Sequence, residues 1–182
     1  MQDFVHLHVH TQYSLLDGQA SVARLVDKAM QNGMKGIAVT DHGNMFGIKE
    51  FTNYVNKKNS GPKGEIKDLK KRLVGIEAGS IECEDKEAEV AACKAKIVEA
   101  ENKLFKPIIG CEMYVARRTM DLKEGKQDQS AYHLIVLAKN ETGYHNLIKL
   151  VSHAWTRGYY MRPRTDRSEL EKYHEGLMVC SA

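Results

Sequence analysis

Cysteine is scarce in this chain, and its few cysteines are not paired. There are four in 182 residues, with no C-x-x-C spacing between any two of them: Cys83, Cys93, Cys111 and Cys180. A zinc knuckle or a disulfide framework needs cysteines that are closely paired or regularly spaced. We therefore expect neither, and we predict reduced thiols.

The chain also lacks a long apolar run and a secretory leader. No apolar stretch approaches the ~18 residues of a membrane-spanning helix. The first residues do not combine a basic segment with an apolar core. These two absences predict a cytoplasmic protein.

A strong excess of charge of one sign is missing as well. The net charge of +3 is too small to indicate nucleic-acid binding without a concentrated basic face, so that question stays open. A hydrophobic share of 42% in 182 residues is typical of a globular protein with one sizeable core and one or two domains.

Histidine is concentrated in one short stretch near the start of the chain. It stands at every second position, at His6, His8 and His10, with apolar residues between. Alternate side chains of a strand share a face, so this spacing predicts that three imidazoles converge. A transition metal makes closely set neutral imidazoles favourable, because rings without partners are costly to bury. The alternative is an exposed edge strand whose histidines are solvated.

Two further candidate ligands follow this stretch. Asp17 lies in the loop after it, and His42 lies at the end of an apolar strand predicted over residues 35–44. A helix predicted over residues 21–30 connects the two strands, which is typical of a βαβ unit in a parallel sheet, with its chemistry at the carboxyl ends of the strands. Histidines with a carboxylate suit Zn, Mn or Fe better than Ca or Mg. For Asp41 and His42, a capped turn is the alternative.

The second half of the chain holds two more candidates. Glu112 stands within an apolar strand predicted over residues 106–116 and needs a polar partner, for which the metal cluster is the candidate. His133 stands near the start of a strand predicted over residues 131–138, where a histidine is either structural or a ligand.

The last part of the chain predicts two helices with a loop between them. Helical spacing over residues 142–157 predicts a buried face, formed by Tyr144, Leu147, Ile148, Val151 and Trp155. In the loop, Arg162 and Arg164 could bind a phosphate, with plain surface charge as the alternative. Asp166, with Glu169 three residues further on, predicts a capping box for the last helix.

Residues 63–103 differ in composition from the rest, being rich in Lys, Glu and Ala. Apolar residues recur there in steps of three and four, which predicts an inserted helical hairpin with a turn near Gly79. Its seam would consist of Ile66, Leu69, Leu73 and Ile76 on one arm and Val90, Cys93, Ile97, Ala100 and Leu104 on the other. A partly disordered insertion is the alternative.

Five short segments together carry a family likeness. They are HLHVHT at 6–11, YSLLDG at 13–18, TDHGN at 40–44, KPIIGCE at 106–112 and PRTD at 163–166. They resemble the polymerase and histidinol phosphatase (PHP) family, in the form found at the N-terminus of bacterial DNA polymerase III alpha subunits. The likeness covers residues 1 to about 59 and about 105 to 182, and residues 63–103 depart from the family pattern.

The resemblance implies a fold and a site. The fold would be an α/β, partial, distorted (β/α)7 barrel, with residues 1–182 as the N-terminal part of a PHP domain. The implied metal ligands are His8, His10, Asp17, His42, Glu112 and His133, with Glu112 as the bridging carboxylate, Glu112 and Asp17 as catalytic groups, and His6 just outside the ligand set. The longer protein would bind up to three divalent ions, Zn or Mn, and this chain fewer or none, because the family's later ligands have no counterpart here.

Three functions are open at this point. The first is the PHP part of a replicative polymerase, with DNA and replisome subunits as partners and a phosphoesterase or 3′-5′ exonuclease type of site. The second is a free-standing PHP phosphatase of a small phosphate ester, and the third is a non-catalytic scaffold stabilised by metal. Strand character persists to the end of the chain, which predicts a piece of a longer protein whose open barrel edge self-associates.

Overall fold

A computed structural model describes residues 4–182. These residues form a mixed α/β fold with seven helices and five strands, in the order α1 Val22–Gln31, β1 Gly36–Val39, α2 Ile48–Lys58, α3 Ser60–Glu77, α4 Lys86–Asn102, β2 Lys106–Ala116, α5 Gly125–Gln129, β3 Ala131–Ala138, α6 Glu141–Thr156, β4 Arg164–Thr165, α7 Arg167–Lys172 and β5 Leu177–Ser181. No helix in this range is long and apolar enough to cross a membrane. All four cysteines are free thiols, as predicted.

Two compact units make up the chain. The first contains the residues up to Thr52 and those from Pro107 onward, and the second runs from Asn53 to Lys106. The candidate site residues all belong to the first unit.

The first unit is built on an open sheet with the strand order β1-β2-β3-β5, and β4 also pairs with β2. The parallel sheet predicted above is only partly present. The β2-β4 pair is parallel, but the β2-β3 and β3-β5 pairs are antiparallel. A parallel crossover needs a connection long enough to recross the sheet, usually through a helix. Between β2 and β3 the only helix is the five-residue α5, so the chain simply turns back.

The histidine-rich stretch is not a regular strand, contrary to the prediction. It is held beside β1 by two backbone hydrogen bonds, from Ala38 N–H to the His6 carbonyl and from Thr40 N–H to the Val9 carbonyl, at 2.9 Å each. The Val9 N–H donates to the Thr40 hydroxyl instead of to a carbonyl. This side-chain bond interrupts the ladder.

Predicted helix ends are confirmed where a cap defines them. The Ser21 side chain accepts a hydrogen bond from Arg24 N–H at the start of α1, and Gly33 after that helix has a φ of 74°. The Asp166 carboxylate accepts from Glu169 N–H at 3.0 Å and caps α7. These caps act within a few residues of the helix end, which is why local sequence predicts them.

The core of the first unit lies between the sheet and α6. Its fully buried members come from β2, β3 and α6, and they are Cys111, Met113, Val136, Leu147, Leu150, Val151 and Ala154. Two residues predicted in that core are not buried, since Ile148 is 37% exposed and Trp155 is 43% exposed. Trp155 stands on the last turn of α6 and directs its indole N–H to the Gly43 carbonyl at 2.7 Å.

The second unit consists mainly of α3 and α4. Arg72 near the end of α3 pairs with Glu89 near the start of α4 at 3.0 Å, so the two helices run antiparallel. Its fully buried apolar side chains include Ile76, Cys93, Ile97 and Ala100, while the earlier positions of the expected α3 seam are only half-buried. Helix α3 begins at Ser60, three residues before the predicted start, and ends before Gly79, whose φ is 73°.

The two ends of the helix pair are joined to each other. The Asn59 side-chain amide donates to the Phe105 carbonyl at 2.8 Å, and Phe105 N–H donates to the Asn59 side-chain oxygen at 3.0 Å. Asn59 is buried, so both bonds are shielded from water. The segment between them therefore leaves and rejoins the chain at nearly the same point.

Candidate metal centre

Glu112 is the centre of the site, and the sheet determines its position. It lies in the middle of β2, where an isolated parallel bridge joins it to His42 just beyond the end of β1. Glu112 N–H donates to the Asp41 carbonyl at 3.1 Å, and Gly43 N–H donates to the Glu112 carbonyl at 2.8 Å. The Glu112 side chain is only 3% exposed. A carboxylate held there needs charged or hydrogen-bonding partners.

Histidines supply those partners. Glu112 Oε2 lies 2.7 Å from His8 Nε2 and 2.9 Å from His10 Nε2, while Oε1 lies 2.5 Å from His133 Nδ1. The two imidazole nitrogens of His8 and His10 are themselves 3.0 Å apart. Two strands and one extended segment thus place three imidazoles on one carboxylate.

The tautomer of His10 follows from its other hydrogen bond. Ser14 Oγ lies 2.6 Å from Asp41 Oδ1, and its single proton must go to that carboxylate. His10 Nδ1, 2.9 Å from the same Ser14 Oγ, therefore donates its proton to it. A neutral His10 is left with a lone pair on Nε2, pointing toward Glu112.

The hydrogen bonds of His42 also leave one of its ring nitrogens with a lone pair directed at Glu112. Its Nε2 lies 2.9 Å from Asp17 Oδ2, so this nitrogen carries the proton that the carboxylate accepts. Its Nδ1 is buried without a hydrogen-bond partner and lies 3.6 Å from Glu112 Oε2. A second imidazole lone pair therefore faces the same carboxylate.

Two lone pairs directed at an anionic oxygen are unfavourable unless a cation lies among them. The described residues form two groups whose ligand atoms all lie within 4.8 Å of one another, and both groups contain Glu112: His8, His10 and Glu112, and His42, Glu112 and His133. Ligands on one ion with bonds of ~2.0–2.1 Å lie about 3 Å apart, close to the 2.7–3.0 Å separations in the first group. The cluster could therefore hold a metal ion.

The pKa directions agree with a neutral imidazole and an ionised carboxylate. Burial lowers the pKa of His10 below its ordinary value. Burial by itself raises the pKa of Glu112, but hydrogen bonds from His8 and His133 outweigh it and lower the pKa. Neutral imidazole and carboxylate are the forms that bind metal.

The remaining predicted residues lie around this cluster. Asp17, 60% exposed, contacts His42 and belongs to neither of the two groups. His6 is exposed and packs edge-on against Phe4, so the predicted convergence of three imidazoles from one stretch holds for two of them. Arg162 lies with its guanidinium 4.9 Å from the Tyr114 ring centre.

Arg164 does not face the cluster, and its predicted role in phosphate binding is wrong. It is fully buried, and its guanidinium donates to the carbonyls of Gly158, Asp128, Met120 and Leu122 at 2.9–3.1 Å. Four of the five guanidinium N–H donors meet backbone carbonyls, and the buried group is not accessible to a phosphate.

Ser14 and Asp41 position the cluster through hydrogen bonds, and sequence reasoning did not name them as site residues. Asp41, 1% exposed, accepts bonds from Thr11 N–H at 2.7 Å and Thr11 Oγ1 at 2.8 Å as well as from Ser14. It thereby ties the loop after the histidines to the end of β1. The only signal was an acidic residue next to His42, and that is equally compatible with a turn.

Taken together, the mixed sheet and the histidine-carboxylate cluster define an α/β domain with a candidate metal centre beside the end of β1 and the middle of β2. Residues 6–97 and 87–182 match the PHP domain family. The chain belongs to this family.

The similar curated proteins are bacterial polymerase subunits. The chain is 40% identical to the DNA polymerase III subunit alpha of Borreliella burgdorferi and 39% identical to that of Treponema pallidum, in both cases over 98% of the chain. It is 34% identical over its whole length to that of Aquifex aeolicus. The chain spans about 12% of the length of each of these relatives.

Proposed function

We propose that this chain is the N-terminal PHP part of a bacterial DNA polymerase III alpha subunit, acting in DNA replication. The similarity to such subunits over nearly the whole chain supports this assignment. In the longer protein, later strands would complete a distorted (β/α)7 barrel, and residues 63–103 would be a helical insertion in it. DNA and replisome subunits are the proposed partners, and the cytoplasm is the proposed location.

The proposed metal site consists of His8, His10, Asp17, His42, Glu112 and His133, and Zn or Mn is the proposed ion. Imidazole and carboxylate ligands favour these metals over Ca or Mg. Glu112 serves both halves of the cluster, since Oε2 faces His8 and His10 while Oε1 faces His133. Asp17 holds the proton of His42 Nε2 and so keeps Nδ1 directed inward.

The proposed chemistry is hydrolysis of a phosphoester, of the 3′-5′ exonuclease type. A bound divalent metal would activate water and neutralise charge on the phosphoryl oxygens. The chain itself directs His10 Nε2 and His42 Nδ1 toward Glu112 and holds Glu112 ionised. Arg162 is exposed near the cluster and is the proposed contact for a substrate phosphate. The observation that carries the proposal is the convergence of four imidazoles, those of His8, His10, His42 and His133, on the Glu112 carboxylate.

Calorimetric titration with MnCl2 or ZnCl2 tests the site. Replacing His8 and His10 together by Ala should abolish binding, while the far-UV circular dichroism spectrum stays near that of the wild type. His145→Ala is the matched control, because this histidine is exposed on α6 and away from Glu112. Metal binding that survives the double substitution would show that the assignment is wrong.

A second assay separates a catalytic site from a structural one. Hydrolysis of a 3′-labelled oligonucleotide should depend on added metal and be lost in the double variant. Metal that raises the melting temperature without any hydrolysis would favour the scaffold function.

Self-association through the open edge at β5 stays a prediction, and β5 leaves Met178 and Val179 about half exposed there.

A further inference from the structure

Three exposed aromatic side chains lie next to one another on the first unit. Phe46 is 66% exposed, Trp155 43% and Tyr159 49%. The Trp155 and Tyr159 rings are stacked, with centroids 5.6 Å apart and planes at 21°, and Phe46 lies 6.4 Å from Trp155. We call these three residues the aromatic shelf. Neighbouring exposed aromatic rings that are not needed for the core indicate a binding surface.

The shelf adjoins the metal centre. The Trp155 indole N–H donates to the carbonyl of Gly43, the residue after His42, at 2.7 Å. Gly43 has a φ of 59°, and a Cβ there would lie 2.7 Å from Pro163 Cγ and 3.2 Å from the Tyr114 ring. The loop that carries Pro163 therefore packs closely against the segment that carries His42.

A cation lies beside the cluster. The Arg162 guanidinium lies 4.9 Å from the Tyr114 ring centre, and Tyr114 stacks on the His42 ring at 5.7 Å with planes at 10°. Residue Met161 beside it is 67% exposed, with a φ of 62° that is unusual for a side chain other than glycine. Trp155 thus bonds to the residue after His42, and Tyr114 contacts both Arg162 and the ring of that histidine.

We propose that the aromatic shelf binds the bases of a single-stranded nucleic acid whose backbone reaches the metal centre past Arg162. Every base has a π-face, so stacked aromatic rings next to a cation bind single strands with little sequence preference. A duplex could not use the shelf without unpairing, because its bases are already stacked on one another. The path of the nucleic-acid backbone toward the metal centre rests on the proposed function, but binding of bases to the shelf does not require hydrolysis.

Trp155 provides a direct readout, because it is the only tryptophan in the chain. Stacking of a base on the shelf should quench its fluorescence. The 182-residue protein is titrated with an oligothymidylate of about ten nucleotides, the size range of single-strand sites, in the presence of EDTA. An abasic oligomer with the same number of phosphates is the comparison. Quenching by the thymidine oligomer only is the expected result.

Variants locate the binding surface. Phe46→Ala and Tyr159→Ala should each weaken the oligothymidylate affinity about tenfold. Tyr132→Ala is the matched control, because Tyr132 is an equally exposed aromatic residue that packs against Arg117 instead of the shelf. Equal quenching by the abasic oligomer, or unchanged affinity in both shelf variants, would overturn the proposal. The same holds for no quenching at all, which would leave the shelf as a protein-protein surface.

The double variant at His8 and His10 separates this proposal from the proposed function. If this variant loses metal binding but oligothymidylate still quenches Trp155 fluorescence, base binding by the shelf is supported independently of the metal site. If the wild type binds no metal yet shows base-dependent quenching that the shelf variants weaken, the metal site fails and the shelf stands. If metal binding is normal and quenching is absent, the shelf fails alone.

Discussion

Replacing Arg164 by Lys should destabilise the first unit strongly, although the charge is kept. Arg164 is fully buried, and its guanidinium makes four hydrogen bonds to carbonyls of three different segments, at Gly158, Asp128, Met120 and Leu122. Burial lowers its pKa, and the charge of Asp128 acts in the opposite direction. A planar guanidinium can bond to several carbonyls in fixed directions at once, and an ammonium group cannot.

The size of the loss follows from the bonds that lysine cannot make. The four bonds leave from three different guanidinium nitrogens, and the single nitrogen of lysine cannot occupy all three positions. We therefore expect about two of the bonds to be lost, each worth about 1.5–3 kcal/mol for a charged donor. The carbonyls left behind are buried beside a charge, so we expect a loss of about 3–5 kcal/mol in the free energy of unfolding. For a chain of this size, that corresponds to a fall of about 6 to 20 °C in melting temperature.

Urea denaturation followed by circular dichroism measures this loss. Arg162→Lys is the matched control, two residues away and exposed, and its loss should stay within about 1 kcal/mol because only a contact with the Tyr114 ring is affected. A loss below about 1 kcal/mol for Arg164→Lys, or equal losses for both variants, would refute the reasoning from buried hydrogen bonds.

Three other outcomes are expected. Deleting residues 63–103 with a short linker should leave a soluble protein with cooperative thermal unfolding, because the flanking residues already meet; aggregation of all the protein would contradict this. Asp166→Asn should lower stability at pH 7 by about 1–2 kcal/mol through lost hydrogen bonds at a helix cap. Burial raises the pKa of Asp166, but backbone hydrogen bonds outweigh it and lower the pKa. The folded state therefore loses this stabilisation as the pH falls through the folded pKa. The free energies of unfolding of wild type and variant, measured by urea denaturation, should converge below about pH 4. In the native protein a thiol-specific reagent should modify Cys180 and leave Cys111 unmodified until the protein unfolds, as detected by mass spectrometry. The reason is that Cys111 is fully buried and burial raises its pKa. Early modification of Cys111 would show that β2 opens.

Local features of the chain were predictable without its structure. The apolar periods predicted α1, α6, β2 and β3 to within one residue at each end, and they predicted the start of β1. The cap at Asp166 was equally visible, because a cap bonds to an N–H only three residues away. Likewise, His42, Glu112 and His133 were predictable as candidates because they are polar residues in or next to apolar strands. Such side chains need partners wherever the strands lie.

Direction of pairing and burial depended on elements far away in sequence. No local pattern shows that β3 runs antiparallel to β2, because that depends on the short connection folding back instead of crossing the sheet. Trp155 has the spacing of a core residue yet is 43% exposed, with its indole bonded to the Gly43 carbonyl and stacked on Tyr159. Arg164 lies in a segment with the composition of a surface loop, yet its side chain is buried and bonded to carbonyls of three segments.

The state of the candidate metal centre was decided by tertiary structure alone. The sequence itself determined which residues could bind a metal, because imidazole and carboxylate chemistry belongs to the residue type. It could not determine that the inward nitrogens of His10 and His42 carry lone pairs. That depends on Ser14 donating to Asp41, 27 positions along the chain, and on Asp17 meeting His42. Hydrogen bonds of this kind assign a proton to one atom only after folding has brought distant side chains within 3 Å of each other.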